Sequence, residues 1–96
     1  MSKAAIVAHT PVFANELGPN VRVNCISPGL ILGTLIFRNI IISESALQLF
    51  FDGIVRRNAL LRPGVPLDVA KIVAFLASPL AAWMSGKNII IDGGFT

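Results

Sequence analysis

The spacing of apolar residues between Ser2 and Leu17 is that of a helix, with one apolar residue at every third or fourth position. Ser2 is a good N-cap, and Gly18 marks the end of the helix. Two stripes run along it: Ile6, His9, Phe13 and Leu17 form one, and Ala5, Ala8 and Val12 form the other. Because both sides are apolar, we expect both to be covered. Because Pro11 removes one backbone hydrogen bond, we also expect a bend just before it.

The run from Val21 to Ile31 predicts a strand that ends at a turn. Its β-branched and apolar residues are typical of a strand covered on both faces by helices. Pro28 has no N–H with which to continue a β-ladder, and Gly29 lets another group approach the backbone without a Cβ in the way. The carboxyl end of such a strand in a parallel sheet is a place where a flat ligand binds.

Two further helices and a second strand follow. One helix is predicted between about Glu44 and Arg57. Its apolar face would comprise Ala46, Leu47, Phe50, Phe51 and Ile54. Another helix begins at Pro66, a favoured first-turn residue, and ends at Ser78, while the apolar run Asn88–Ile91 predicts a strand. A strand, a crossover helix and a strand form a βαβ unit, so the pattern predicts an α/β fold with parallel strands.

The composition limits the classes of function. Ninety-six residues make at most one domain, and 54% apolar against 14% charged residues is rich in apolar surface. We therefore expect part of that surface to meet another half-domain or subunit. The net charge of +3 comes without a basic stripe or a reader motif, which argues against nucleic acid as a partner. No apolar run reaches the roughly 20 residues that span a bilayer, so we expect no membrane segment.

Single polar side chains add little chemistry by themselves. Cys25 is the single cysteine, which excludes an intrachain disulfide and fits a reducing cytoplasm, and its place within a strand favours a small buried residue. His9 has no second ligand at metal spacing, so we expect no metal site. Arg62 and Asp68 are expected to pair at the start of a helix rather than to catalyse.

Four stretches, in order, resemble the short-chain dehydrogenase/reductase family of NAD(P)-dependent enzymes with a Rossmann fold. The segment Asn24-Cys25-Ile26-Ser27-Pro28-Gly29 is similar to the family's Asn-x-(Val/Ile)-x-Pro-Gly segment. The other three are similar to its active-site helix, its last long helix and its final strand: Ser2–Ala5 with Ala14–Pro19, Arg62–Ala70 with Ala74–Ser78, and Ser85–Gly94. The stretch from about Phe37 to Asp52, a substrate-binding lid in the family, matches least.

The resemblance implies a fold and a domain assignment. Residues 1–96 would form the C-terminal part of a Rossmann-type doubly wound parallel sheet, in the order helix, strand, lid helix, helix and strand. This is an incomplete domain, running from the active-site helix to the final strand. The N-terminal half, which holds the cofactor phosphates, is expected to be absent.

The resemblance also implies site residues. Lys3 matches the lysine of the family's Tyr-x-x-x-Lys pair, which lowers the pKa of the tyrosine and holds the nicotinamide ribose, but this chain has no tyrosine. Pro28, Gly29 and Ile31 match positions that contact nicotinamide, and we call these three residues the shelf. Thr34 is one residue later than the family's threonine, so either the loop carries an extra residue or that contact is lost.

The resemblance implies hydride transfer between NAD or NADP and a small carbonyl or alcohol substrate. Without the tyrosine and the phosphate-binding turn, this chain alone is predicted to be inactive and to bind the cofactor weakly or not at all. Its expected partner is the missing N-terminal half or another subunit of a homo-oligomer. Two alternatives stay open: a non-catalytic interaction or dimerisation module, and a truncated fragment without activity of its own.

Overall fold

The computed structural model describes residues 2–32 and 44–95. In chain order the helices and strands are α1 (Lys3–Leu17), β1 (Cys25–Pro28), α2 (Glu44–Arg57), α3 (Pro66–Ala77) and β2 (Asn88–Ile91), with a short 3-10 turn at Pro79–Ala81. The predicted order of elements is confirmed. The bounds of α2 and the first residue of α3 also agree with the sequence, because each is set by local signals such as a proline in the first turn.

The two strands pair in parallel. The amide of Cys25 donates to the carbonyl of Lys87 (2.8 Å), and that of Gly29 donates to the carbonyl of Ile91 (2.8 Å), with the same sequence offset at both places. The strand was expected to begin near Val21, but it begins at Cys25. Upstream of Cys25, side chains replace the ladder, since the Val23 amide donates to the Ser85 hydroxyl (3.1 Å).

The described residues fall into two compact units. The first comprises Met1–Ser27 and Ala70–Ile90. Ser2 caps α1 as predicted, accepting a hydrogen bond from the amide of Ala5 (3.2 Å). The helix runs through Pro11 without a break in its assignment, and the expected bend stays a prediction.

The buried residue of α1 was not expected from the sequence pattern. It is Thr10, which belongs to neither apolar stripe, while Ile6 and Phe13 are 46% and 47% exposed. Thr10 is tolerated there because its hydroxyl donates to the carbonyl of Ile6 (2.8 Å) one turn earlier. On the same unit, Ala14 packs against Gly86, where an added Cβ would lie 3.4 Å from the Ala14 Cβ.

Side chains from the segment before β1 bind the end of α3. The guanidinium of Arg22 donates to the carbonyls of Ala81 (2.9 Å) and Ser78 (3.4 Å), which follow the helix. Asn24 donates from Nδ2 to the carbonyl of Met84 (3.0 Å) and accepts from the amide of Lys87 (3.2 Å). These bonds connect residues far apart in sequence and fix β2 beside β1.

The second unit comprises Pro28–Val69 and Ile91–Thr96. Here the turn after α2 lies against the turn after β2, and the amide of Leu60 donates to the carbonyl of Gly93 (3.0 Å). Gly93 and Gly94 have positive φ angles of 65° and 85°, which a glycine adopts without strain.

Few apolar side chains are buried among the described residues. Only Ile31 and Ala81 are buried apolar residues there, at 8% and 1% exposure. Phe50, on the predicted apolar face of α2, is 51% exposed, and Cys25 is only partly buried. The predicted excess of apolar surface is therefore present on the described part of the chain.

Leu61 has a φ of 54°, a left-handed conformation that costs a residue with a Cβ about 1–2 kcal/mol. Because its side chain is 67% exposed, little packing is lost on truncation. We expect Leu61→Gly to raise the free energy of unfolding by about 0.5–1 kcal/mol in urea titration. Leu60→Gly is the matched control, since Leu60 is 64% exposed and has no positive φ. It should lower that free energy, and a gain of equal size in both variants would contradict the explanation.

Candidate functional site

The carboxyl end of β1 lies close against the residue that follows β2. A Cβ built on Gly29 would lie 2.8 Å from the Cβ of Asp92 and 3.0 Å from its Cα. Real Cβ atoms do not approach so closely, so the contact requires glycine. Pro28 and Gly29 are both exposed. The end of the strand therefore presents a proline ring and exposed backbone, with no long side chain.

Ile31 is held by a short parallel bridge to Gly64. The amide of Leu32 donates to the carbonyl of Gly64 (2.9 Å), and the amide of Gly64 donates to the carbonyl of Leu30 (2.9 Å). In such a bridge the bonding groups belong to the two neighbours of Ile31, so the peptide groups of Ile31 itself face away from Gly64. A Cβ on Gly64 would lie 2.6 Å from Ile31 Cδ1, so this approach also uses a glycine.

An exposed ion pair braces the segment that carries Gly64. The two terminal nitrogens of Arg62 donate to the carboxylate of Asp68 (2.9 and 3.1 Å). Asp68 Oδ2 also accepts from the amide of Val65 (2.8 Å), as a residue in the first turn of a helix does. The hydrogen bond to Asp68, and then the charge of Asp68, raise the pKa of the Arg62 guanidinium. The predicted helix-start pair is confirmed.

The predicted site residues lie in different parts of the chain. Pro28, Gly29 and Ile31 belong to one short segment of the second unit, whereas Lys3 is an exposed residue in the first turn of α1 in the first unit. Thr34 lies outside the described residues. The structure therefore brings the shelf together, and the roles of all five residues stay predictions.

Three residues that support the shelf were missed by sequence reasoning as site residues. Gly64 and Asp92 contact it directly, and Asn58 is a polar side chain only 5% exposed. The Pro-Gly pair before Val65 and the Asp-Gly-Gly sequence after β2 were available signals for the first two. Asn58 carries no local signal, because its burial results from a turn that lies far away in sequence.

The side chain of His9 contacts residues one turn away on α1 in either direction. His9 Nδ1 lies 2.7 Å from the carbonyl of Ala5, and its ring stacks on Phe13 with centroids 5.9 Å apart. Among residues 2–32 and 44–95, no three His, Cys, Asp or Glu side chains form a group able to hold a metal ion. Within the same ranges, none of the helices combines the length and hydropathy needed to cross a membrane.

Known proteins with similar sequences define the protein family of this chain. A family model described as enoyl-(acyl carrier protein) reductase matches residues 1–96. Dehydrogenase/reductase SDR family member 4 of Mus musculus is 39% identical over 95 residues, which are 98% of this chain and 32% of that protein. The chain thus spans about a third of the length of the curated relatives it matches.

Solved structures are similar to it in fold. A small-chain dehydrogenase in complex with NADPH is 32% identical, with a TM-score of 0.81 over 96% of this chain and 39% of that one. 4-Hydroxyisoleucine dehydrogenase complexed with NADH is 33% identical, with a TM-score of 0.73 over 98% and 36%. The α/β arrangement is therefore of the Rossmann type. The chain belongs to the short-chain dehydrogenase/reductase family.

The close approach of Gly29 to Asp92 predicts a large penalty for any side chain at position 29. We expect Gly29→Ala to lower the free energy of unfolding by about 1–3 kcal/mol, because the methyl group must displace backbone atoms. The matched control is Gly53→Ala, in α2, where an added Cβ meets nothing within 4 Å. That variant should raise the free energy of unfolding by about 1 kcal/mol through helix propensity. Equal effects of the two changes in urea titration would show that the contact does not exist.

Proposed function

We propose that this chain supplies the carboxy-terminal part of an NAD(P)-dependent oxidoreductase that transfers hydride between nicotinamide and a carbonyl or alcohol carbon. The observation that carries the proposal is the shelf: Pro28 and Gly29 at the carboxyl end of a parallel strand, where ligands of such folds bind. Solved relatives with NADH and with NADPH support this class of cofactor.

The shelf fits a flat ring. Pro28 and Gly29 offer an exposed surface with no long side chain, and Asp92 holds that surface from behind. Ile31, the third shelf residue, is 8% exposed and is held by its bridge to Gly64. When bound, nicotinamide supplies or accepts the hydride, and the shelf residues orient its ring.

Lys3 is the proposed ribose-binding residue and the partner of a catalytic phenol. It is exposed in the capped first turn of α1, so its ammonium group is accessible to a ligand. An ammonium group near a phenol favours the ionised form and lowers its pKa, which prepares it for proton exchange with a substrate oxygen. Since the chain contains no tyrosine, the phenol must come from another polypeptide segment.

The open edge of β1 is the proposed docking site for that segment. β1 pairs with β2 through Cys25, so the peptide groups of Ile26 face the opposite edge. Residues of α1 and of the segment 23–26 line a groove of about 500 Å³. Its lining is mostly apolar: Ile6, His9, Thr10, Phe13, Val23, Asn24, Cys25 and Ile26. A parallel apolar strand would satisfy both the edge and the groove.

The proposal predicts recovery of activity by complementation. The upstream segment of a related enzyme, ending at its active-site tyrosine, would be co-expressed with this chain and the complex purified. We expect the complex to oxidise NADH or NADPH with members of a ketone panel, because the phenol and the phosphate-binding turn complete the site. Lys3→Ala should lower kcat/KM by about a hundredfold. Lys71→Ala, at an exposed lysine of α3, is the matched control and should leave it unchanged.

Two outcomes would count against the enzyme. The first is failure of the two segments to associate, and the second is an active complex that does not respond to Lys3→Ala. The chain alone is expected to show no turnover and at best weak cofactor binding. Micromolar affinity for NAD or NADP by calorimetry would contradict that expectation.

A non-catalytic interaction module is the second candidate, and a specific surface favours it. Leu80, in the 3-10 turn after α3, and Trp83, two residues beyond that turn, are 83% and 101% exposed. Adjacent apolar side chains so fully exposed are typical of surfaces that bind another protein. In this reading the first unit associates with a second copy of the chain through that surface.

The second candidate predicts a self-associating chain. Light scattering should then give a mass above that of the 10.2 kDa monomer, and Trp83→Ser should shift it toward the monomer. Leu49→Ser is the matched control, since Leu49 is 72% exposed in the other unit. A monodisperse monomer with a cooperative melt would exclude this candidate.

A further inference from the structure

Asn58 is one of two buried polar side chains among the described residues, with 5% exposure. It is the first residue after α2, and its Nδ2 donates to the carbonyl of Arg62 (2.9 Å). The amide of Leu61 in turn donates to the carbonyl of Asn58 (3.3 Å). One residue, through its side chain and its backbone carbonyl, therefore closes the turn that connects α2 with the segment before α3.

The turn after β2 packs against the same side chain. A Cβ on Gly93 would lie 3.3 Å from Asn58 Cγ and 3.4 Å from its Oδ1, so Gly93 packs closely against the amide. Gly94 has a similar relation to Ala59, where an added Cβ would lie 2.8 Å from the Ala59 Cβ. Two consecutive glycines therefore allow the backbone after β2 to dock on the start of this turn.

Both ends of that arrangement reach the shelf. Asp92, directly before Gly93, lies against Gly29. At the other end the Arg62 carbonyl is two residues before Gly64, whose bonds to Leu30 and Leu32 hold Ile31. Asn58 thus contacts both backbone segments that hold the shelf, one through Gly93 and the other through the Arg62 carbonyl.

We propose that Asn58 is the positioning residue of the shelf: its amide locks the end of α2 to both segments that hold Gly29 and Ile31. The function of the locked segments as a cofactor shelf rests on the function proposed above, whereas the lock itself does not. In that enzyme α2 would be the substrate-binding lid, and Asn58 would be the fixed point from which it extends.

The polar atoms of the Asn58 amide indicate that this side chain does more than occupy space in the turn. Asn58 Oδ1 is buried and has no hydrogen-bond partner among the described residues, which costs free energy that an apolar side chain would not. An apolar side chain could not donate a hydrogen bond to the Arg62 carbonyl, as Asn58 Nδ2 does. The donor is therefore the feature to test.

The test is hydrogen exchange on the full chain, comparing Asn58→Asp with the wild type. The variant keeps the shape of the side chain but replaces the donor with a carboxylate facing the Arg62 carbonyl. At about pH 7 we expect protection of the amides of Leu60, Gly64 and Leu32 to fall by about tenfold or more. The amides of Cys25 and Gly86, which bond within the first unit, should change by less than about twofold.

Acidification provides a rescue that a purely structural residue would not show. Burial raises the pKa of the introduced carboxyl above its ordinary value, and its protonated form can donate to the Arg62 carbonyl again. The variant should therefore lose protection fully at pH values above that pKa and regain it as the pH falls through that pKa. At about pH 4 its protection should return to near the wild-type value. The charged groups on the segments around the turn are Arg56 and Arg57 at the end of α2, with Arg62, Asp68 and Asp92. They are present in both proteins, so each comparison is made against the wild type at the same pH.

Asn58→Leu is the matched control, because it removes the donor and has nothing to titrate. Its loss of protection should be the same at both pH values. The proposal is overturned by an equal loss at all five amides, which would mean global destabilisation. It is also overturned by no loss at the three shelf-side amides, or by a defect in Asn58→Asp that persists at low pH. None of these readouts uses a cofactor, so a failed complementation and a failed lock are separate results.

Discussion

The contact between Gly29 and Asp92 is the constraint on which the candidate site depends. The pairing of β1 with β2 continues one residue past Pro28, to the bond between the Gly29 amide and the Ile91 carbonyl (2.8 Å), and at that point the two backbones approach closely. A Cβ would push them apart, and the shelf would lose the surface behind it. The position of the proposed nicotinamide contact is therefore set by the absence of a side chain, not by a side chain that reaches toward the ligand.

Two other close contacts in the second unit also occur at a glycine. Gly64 meets Ile31, Gly93 meets Asn58, and an added Cβ at either position would lie within 3.4 Å of its neighbour. Hydrogen bonds between backbone groups accompany these contacts, and each contributes about 1 kcal/mol net. Such contacts fix geometry well but bury little apolar area. Among the described residues of this unit only Ile31 is a buried apolar side chain, so the shelf is held by turns more than by a core.

Local signals explain what the sequence predicted and what it missed. Ser2, Pro66 and the apolar run Asn88–Ile91 act within a few residues of themselves, so the caps, the helix start and β2 were predictable. The burial of Thr10 and Asn58 depends on partners that pattern analysis does not place nearby, and both were missed. The same limit applies to the site. The shelf motif was visible in one short segment, whereas its supports came from elsewhere in the chain.

The exposed apolar surface bears on both candidate functions, because a large side chain that is fully covered contributes about 1.5–3 kcal/mol. A folded domain has a total stability of only about 5–15 kcal/mol. Covering Phe13, Leu80 and Trp83 alone would therefore change the stability of this chain by a large fraction of such a total. The enzyme and the interaction module thus share one physical requirement, a partner that covers exposed apolar side chains. They differ in what the partner brings: the enzyme requires a phenol within reach of Lys3, and the module requires only apolar area.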